Sequence, residues 1–483
     1  MKNETLFPLY HKGEQIDTPH PPPQKPQSGP QQAHARRVYI ETYGCQMNVS
    51  DSELMAGILT QSGHQTVTHI DDADVVLVNT CAIRENAETK VINRLKHLNH
   101  RKRRQPELII GVCGCMAQHL RDRLLDAAPY VDLVMGPDAY RNLPVALDAL
   151  TGGVEAHVSL KDRDPFLGLR LNKTEDYADI APIRKEGIRA WLTIQRGCDK
   201  MCTFCIVPFV RGRERSLPLK LLVEDVEKLV DQGFKEVVLL GQTVNSYRDN
   251  GSDFGDLLYA VGEVNGLERV RFTSPHPADA TERMIDAMAS SPTVCKHLHL
   301  PLQSGSTPVL ERMRRTYTAE EYRDLVTKLR ERIPDIALST DVIVGFCGET
   351  EAEFMETYQM MADIRYDSAF MFKYSEREGT LAHKALPDDV PEAEKGERLK
   401  KIIELQEQIA AEINTTAVGD TVAVLVEGES RREADKYYGK TDGFKTTVFP
   451  KADSEIGEVV NVRIHNTTAH TLIGQIVCSV TPA

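Results

Sequence analysis

The chain has 483 residues, room for about three domains of about 100–200 residues each. Hydrophobic residues at 41% and charged residues at 27% exclude a mostly disordered or collagen-like polymer, and ten cysteines spread through so long a chain exclude a small secreted disulfide scaffold. The net charge of −13 argues against broad non-specific binding to nucleic acid or anionic membrane and leaves room only for a local basic patch.

Residues 1–36 hold seven of the 25 prolines, centred on HPPPQKPQSGPQQ, with no hydrophobic period, and read as a disordered Pro-rich tail. The start lacks the apolar core of a signal peptide, and no later stretch approaches the length of a membrane span, so a cytoplasmic protein without membrane contact is expected. From Val38, short apolar runs alternate with helical stretches: VYIETYG, VVLVNT, LIIGV and VDLVMG each precede a helix. That alternation predicts an N-terminal parallel α/β sheet domain over 37–152. Residues 153–183, charged and aperiodic, read as a linker.

A second alternating series fills 184–414. Its strands are AWLTIQ, EVVLLG, RVRFTS, KHLHLP, ALSTDVIVGF and DSAFMFKYS, six units that predict a partial (β/α)6 barrel. A charged helix from Glu392 to Thr415 then leads to short alternating strands over 417–480, a small all-β barrel or sandwich. The fold class is therefore α/β multidomain with an all-β C-terminal barrel.

Seven of the cysteines follow predicted strands directly. Ligands of an open parallel sheet bind beyond the carboxyl ends of its strands, so Cys45, Cys81 and Cys115 are expected to converge. Three thiolates at one point repel unless a cation holds them, which suggests a metal or an iron-sulfur cluster; the competing reading is three small buried residues at strand ends. The spacing Cys198-x3-Cys202-x2-Cys205 in GCDKMCTFC suits three corners of a cubane cluster, leaving one iron without a protein ligand. Zinc competes, but a structural zinc wants four ligands and no fourth stands nearby.

CxxxCxxC after the first strand of a partial barrel resembles the radical S-adenosylmethionine (SAM) superfamily. ETYGCQMNVSDSE, NTCAIRENAETK, GVCGCMAQ, GCDKMCTFCIVPFVRGRERS, HLPLQSGS and STDVIVGFCGET, in that order, resemble the MiaB-type methylthiotransferases over about residues 37 to 480. The resemblance implies two [4Fe-4S] clusters: an auxiliary one on Cys45, Cys81 and Cys115 in an N-terminal methylthiotransferase domain, and one on Cys198, Cys202 and Cys205 in the radical SAM core. It also implies a C-terminal RNA-binding TRAM domain. The implied chemistry inserts a methylthio group at an unactivated ring carbon, with one SAM as methyl donor and a second cleaved to a 5′-deoxyadenosyl radical. SAM contacts carry over to Gly241, Gln242, Gln303, Ser304 and Gly345. No side chain is assigned as a catalytic acid, base or nucleophile. Cys113, Cys295, Cys347 and Cys478 match no ligand position and read as packing residues.

CAIRENAETK resembles the branch acting on isopentenyl-adenosine beside the anticodon of tRNA. The alternatives are the branches acting on threonylcarbamoyl-adenosine in tRNA and on a ribosomal-protein aspartate, and, in a different class, a non-catalytic iron-sulfur or zinc protein that binds RNA. For a tRNA substrate, Arg211 and Arg213 beside the Cys loop and Arg431, Arg432, Tyr437, Phe444 and Lys445 in the last domain supply cations and stacking rings. Phe444 and Lys445 stand where the family carries Asn-Arg. From Val418 onward seven Lys/Arg face nine Asp/Glu, so an RNA surface is one face of that domain. The basic run 91–104 reads either as a second phosphate contact or as a solvated helix face. An electron donor such as flavodoxin and a monomeric state complete the expectation.

Overall fold

The computed structural model describes residues 35–81, 85–151, 166–184, 187–430, 432–452 and 454–477. The Pro-rich tail expected over 1–36 therefore lies almost wholly outside the described residues, as do Arg431 and Cys478. Among the described residues no helix is long and apolar enough to cross a membrane.

The N-terminal sheet has six parallel strands: β1 (Arg37–Tyr43), β2 (Gln65–Thr66), β3 (Val75–Thr80), β4 (Ile109–Gly114), β5 (Leu133–Met135) and β6 (Phe166–Gly168). Their order is β2-β1-β3-β4-β5-β6. β3 and β4 are buried at every position, as central strands covered on both faces must be. One face packs on helix α1 (Gln46–Gln61) through Leu54, Met55 and Ile58; the other packs on the helix Glu85–Arg104 through Val91, Leu95 and Leu98. β6 lies inside the stretch read as linker. Three residues are too few to show a hydrophobic period, and only pairing with β5 reveals the strand. The chain that follows crosses α1 so closely that a Cβ on Gly57 would sit 2.2 Å from the Ala181 carbonyl oxygen.

The second series forms β7 (Arg189–Thr193), β8 (Glu236–Leu240), β9 (Arg269–Phe272), β10 (His297–His299), β11 (Ala337–Val344) and β12 (Ser368–Lys373). These are two parallel arrays, β9-β8-β7 and β10-β11-β12, joined where Val270 bridges Val294. Among the described residues the sheet does not close, and β7 and β12 are its edge strands. Outward residues such as Leu192, Leu239, Leu338 and Val342 form one core beneath the surrounding helices. Capping boxes start three of those helices, Asp253 with Asp256, Thr318 with Glu321 and Thr350 with Glu353.

The last domain is a closed barrel of β13 (Thr421–Glu429), β14 (Lys436–Thr441), β15 (Thr446–Pro450), β16 (Val459–Thr467) and β17 (Thr471–Ile476), ordered β13-β14-β15-β17-β16. β14 falls in KYYGKT, where the sequence was read only for its RNA-binding side chains. The turn after it plugs the amino-terminal floor of the partial barrel: Arg271 donates to the carbonyls of Thr441 at 2.7 Å and Asp442 at 2.8 Å, and Arg269 donates to that of Lys440 at 2.6 Å.

Candidate functional site

Strand register brings the first three cysteines together. Tyr43, Thr80 and Gly114 occupy one rung of adjacent strands β1, β3 and β4, and Cys45, Cys81 and Cys115 follow one or two residues later. Cys45 caps the start of α1, and Cys115 begins the short helix Cys115–Leu120. Gly114 has φ of +94° and Thr80's carbonyl oxygen 2.5 Å from where a Cβ would stand, so the turn into Cys115 demands glycine. A hydrogen bond from Cys81 holds the Cys45 thiol down at about 6, with the Arg211 charge acting the same way against burial. Burial pushes Cys115 up to about 11 in spite of Arg211.

Arg211 is the group the sequence misplaced. Expected as a phosphate contact, its side chain is only 5% exposed, which no RNA backbone reaches. Its Nε donates to Cys115 Sγ at 3.1 Å and its Nη2 to Asp51 at 2.7 Å. Asp51, fully buried on α1, also accepts from Arg196 Nη1 at 3.0 Å. Asp51 and Arg196 were not singled out from sequence, because a charged residue in a helical stretch reads as solvated until the opposing domain covers it.

The second triad lies in the loop beyond β7. Backbone bonds from Cys198 to Gly212 and from Thr203 to Met313 fix the loop, and Thr243 Oγ1 lies 3.2 Å from Cys198 Sγ. Arg315 Nη1 donates to Cys202 Sγ at 3.2 Å, a second cation aimed at a sulfur that sequence reasoning missed. Burial raises Cys205 to about 12, with Cys202 and Cys198 adding to the rise; burial also raises Cys198. Thiolates brought together in one loop repel one another unless a positive centre holds them. Three thiolates are the donor type that holds a [4Fe-4S] cluster, whereas structural zinc takes a closed set of four ligands.

The expected SAM contacts line the neighbouring strand ends. Gln242, two residues beyond β8, has both amide atoms buried without a hydrogen-bond partner, and Gln303 Oε1 is likewise unpaired. Gln303 also sits at φ of +65°, an unfavourable conformation for a non-glycine. These orphaned atoms fit a polar ligand. Ser304 is committed elsewhere: its Oγ lies 3.1 Å from Thr357 Oγ1 and accepts from Ser306 N. Gly345, at φ of +70°, donates its N–H to Glu349 and lies against Lys395, leaving no room for a side chain.

Three family models match the chain: an uncharacterized protein family, UPF0004, over residues 37–136, the radical SAM superfamily over 192–361, and the TRAM domain over 415–477. The tRNA-2-methylthio-N(6)-dimethylallyladenosine synthase of Chlorobium limicola is 45% identical over 442 residues, covering 91% of this chain and 98% of that protein. The protein of the same name from Bacteroides fragilis is 44% identical over 451 residues, covering 92% and 96%. The chain belongs to the tRNA-2-methylthio-N(6)-dimethylallyladenosine synthase family. Among solved structures, the radical SAM methyltransferase TsrM of Kitasatospora setae matches with a TM-score of 0.51 at 14% identity, covering 70% of this chain and 73% of that one, a likeness of fold. As a radical SAM protein of this synthase family, the chain uses SAM and an iron-sulfur cluster.

The side chains expected to meet RNA in this synthase divide by location. Arg213 is exposed and paired with Asp199 of the Cys loop at 2.7 Å. Arg432 is exposed, and Tyr437 is half-buried beneath the Lys451 ammonium, 5.2 Å from its ring centroid. Phe444 and Lys445 face inward: Phe444 stacks on His297 at 5.1 Å under the Arg271 guanidinium, and Lys445 pairs with Asp367 at 2.7 Å. Both spend their chemistry on docking the TRAM barrel, a role invisible before β14 and β15 were paired. In the run 91–104, Arg94, Arg101 and Lys102 are paired with Glu41, Asp71 and Asp132 of the same domain. Cys113, Cys295 and Cys347 are buried.

Proposed function

We propose that this protein is a tRNA methylthiotransferase that converts dimethylallyl-adenosine (isopentenyl-adenosine) beside the anticodon to its 2-methylthio derivative. The observation that supports the reading is the packing of the first cysteine set against the barrel. Cys45 and Met47 pack on Trp191, Val238 and Leu240, the inner wall of the barrel, while Arg211 reaches from the segment after the Cys198–Cys205 loop to Cys115. A cluster on each triad would therefore open on one chamber. Cys198, Cys202 and Cys205 would hold the radical-generating cluster, and Cys45, Cys81 and Cys115 a second, auxiliary one.

Bound there, the clusters and two molecules of SAM supply the electron, the 5′-deoxyadenosyl radical, the sulfur and the methyl group. The chain's own part is placement and exclusion of water. Arg211 and Arg315 each direct an N–H at a ligand sulfur, holding thiolate orientation from outside the coordination sphere. Gln242 and Gln303 offer their unpaired amide atoms to SAM, beside Gly241, Ser304 and Gly345. Arg213, Arg431, Arg432 and Tyr437 belong to the RNA contact.

The domain limits 37–152, 184–414 and 417–480 belong to this reading, as do a cytoplasmic setting, an electron donor such as flavodoxin, and action as a monomer. Mass spectrometry of tRNA nucleosides from a deletion strain tests it. Loss of 2-methylthio-dimethylallyl-adenosine, restored by the gene, is expected; an unchanged level would overturn the reading. Reconstituted protein should carry about eight iron atoms per chain, as two [4Fe-4S] clusters require.

A further inference from the structure

The partial barrel has two edge strands, and they are treated differently. At β7, α1 of the first domain closes over the edge: Ser50 Oγ lies 2.9 Å from Thr193 Oγ1, and Met47 packs on the inner wall. At β12 no further strand pairs among the described residues. Side chains alternate across a strand, and Ala369 and Met371 of β12 pack outward on the helical core, as do Leu338, Val342 and Val344 of β11. Phe370 and Phe372 therefore face the chamber, directly across from Asp341 and Ile343. They are 56% and 36% exposed.

Two phenylalanines at successive inward positions of a barrel strand ordinarily fill the interior. Here they form an open apolar wall. At its upper end Ile343 packs on the same cluster of side chains as Phe204, which lies between Cys202 and Cys205. At its lower end stands His299, edge-on to Phe370 at 5.9 Å and held by Ser339 Oγ at 3.0 Å and Asp341 Oδ2 at 3.3 Å. The wall thus joins a polar, oriented imidazole to the side-chain cluster beside the loop of the radical triad.

We propose that Phe370 and Phe372 seat the dimethylallyl group of the substrate adenosine, with His299 marking the purine end of the site. This rests on the functional reading above and adds to it the residues that select the prenylated base. A branched five-carbon apolar group matches aromatic faces. A carboxylate-bearing substituent would lose its hydration against those aromatic faces.

The test compares methylthiolation of two anticodon stem-loop RNAs, one with dimethylallyl-adenosine and one with unmodified adenosine, by wild type, Phe370→Ala, Phe372→Ala and Phe370→Leu. The wild type should prefer the prenylated RNA. Each alanine variant should lower that preference, as the ratio of kcat/KM values, by about tenfold or more, the discrimination an apolar pocket gives per missing group. Phe370→Leu should retain most of it. Iron content and thermal unfolding report whether each variant folds, and Phe372→Ala carries the test if Phe370→Ala does not. An unchanged preference, or an equal loss on both RNAs, would overturn the proposal. Absence of methylthiolation of the prenylated RNA by wild type would instead overturn the functional reading, and this proposal with it.

Discussion

Replacing Asp51 by alanine tests how the first domain is held against the barrel. Asp51 has no exposed surface and accepts from Arg196 at 3.0 Å and Arg211 at 2.7 Å; both guanidinium side chains are only 5% exposed. Asp51→Ala would leave two buried cations without their carboxylate. Breaking a buried pair costs about 3–5 kcal/mol, because the abandoned charge stays desolvated. Arg196 keeps the face of Tyr177, 4.8 Å from its ring centroid, and Arg211 keeps Cys115, so the lower end, about 3 kcal/mol, is expected. That is more than a hundredfold in the opening equilibrium. Asp51→Asn retains an acceptor without charge and should lose less. Urea unfolding of cluster-free protein gives the total, and proteolytic nicking of the 151–186 segment reports separation of the first domain. A loss of Asp51→Ala below about 1 kcal/mol, or equal loss from both variants, would refute the argument that the charge holds this interface.

Alanine at Cys198, Cys202 and Cys205 should abolish reductive SAM cleavage, whereas alanine at Cys45, Cys81 and Cys115 should spare cleavage, end methylthiolation and lower iron from about eight to about four per chain; loss of both functions from the second set would contradict the division. His297, under the Phe444 ring, is held down to about 3 by burial, with Arg271 next. The unfolded imidazole takes its proton near 6.5, so its contribution to stability is complete above that pH and is lost as pH falls from about 6.5 toward 3, at up to about 1.4 kcal/mol per pH unit. Thermal unfolding of cluster-free His297→Gln should be less acid-sensitive than wild type, and an unchanged pH profile would count against it. In β14, a Cβ on Gly439 would lie 2.1 Å from the Leu425 carbonyl oxygen. Gly439→Ala should therefore destabilise the C-terminal barrel by about 1–3 kcal/mol, read by amide exchange in β13 and β14; unchanged protection would show that the strands give way freely.

Ten strands of the first two domains were legible because each is a short apolar run set off by a helical stretch. The loops after them made the convergence of Cys45, Cys81 and Cys115 foreseeable from topology alone. β6 was not legible, since three residues carry no period, and β14 was obscured because Tyr437 and the cations before it looked like an RNA surface. The errors of role share one physical origin. Arg211, Phe444 and Lys445 are residue types that suit RNA, and a cation or ring engaged against a neighbouring domain looks the same in sequence as one left for a partner. Arg315, the cation aimed at Cys202, sits among the neighbouring arginines of ERMRRTYT, and nothing local distinguishes it.

The floor of the partial barrel has a consequence for how the parts can be separated. Glu236, with both Arg189 and Arg271 on it, lies at that floor, and the 441–445 turn of the last domain covers it. Truncating the chain near residue 417 would flood a charged basin and strip Arg269 and Arg271 of the carbonyls they now serve. The last domain is thus less a handle attached to an enzyme than the keel of its chamber. A pull on the last domain would be transmitted into the amino-terminal ends of β7 and β9, next to the strands on which Cys45 and Met47 pack.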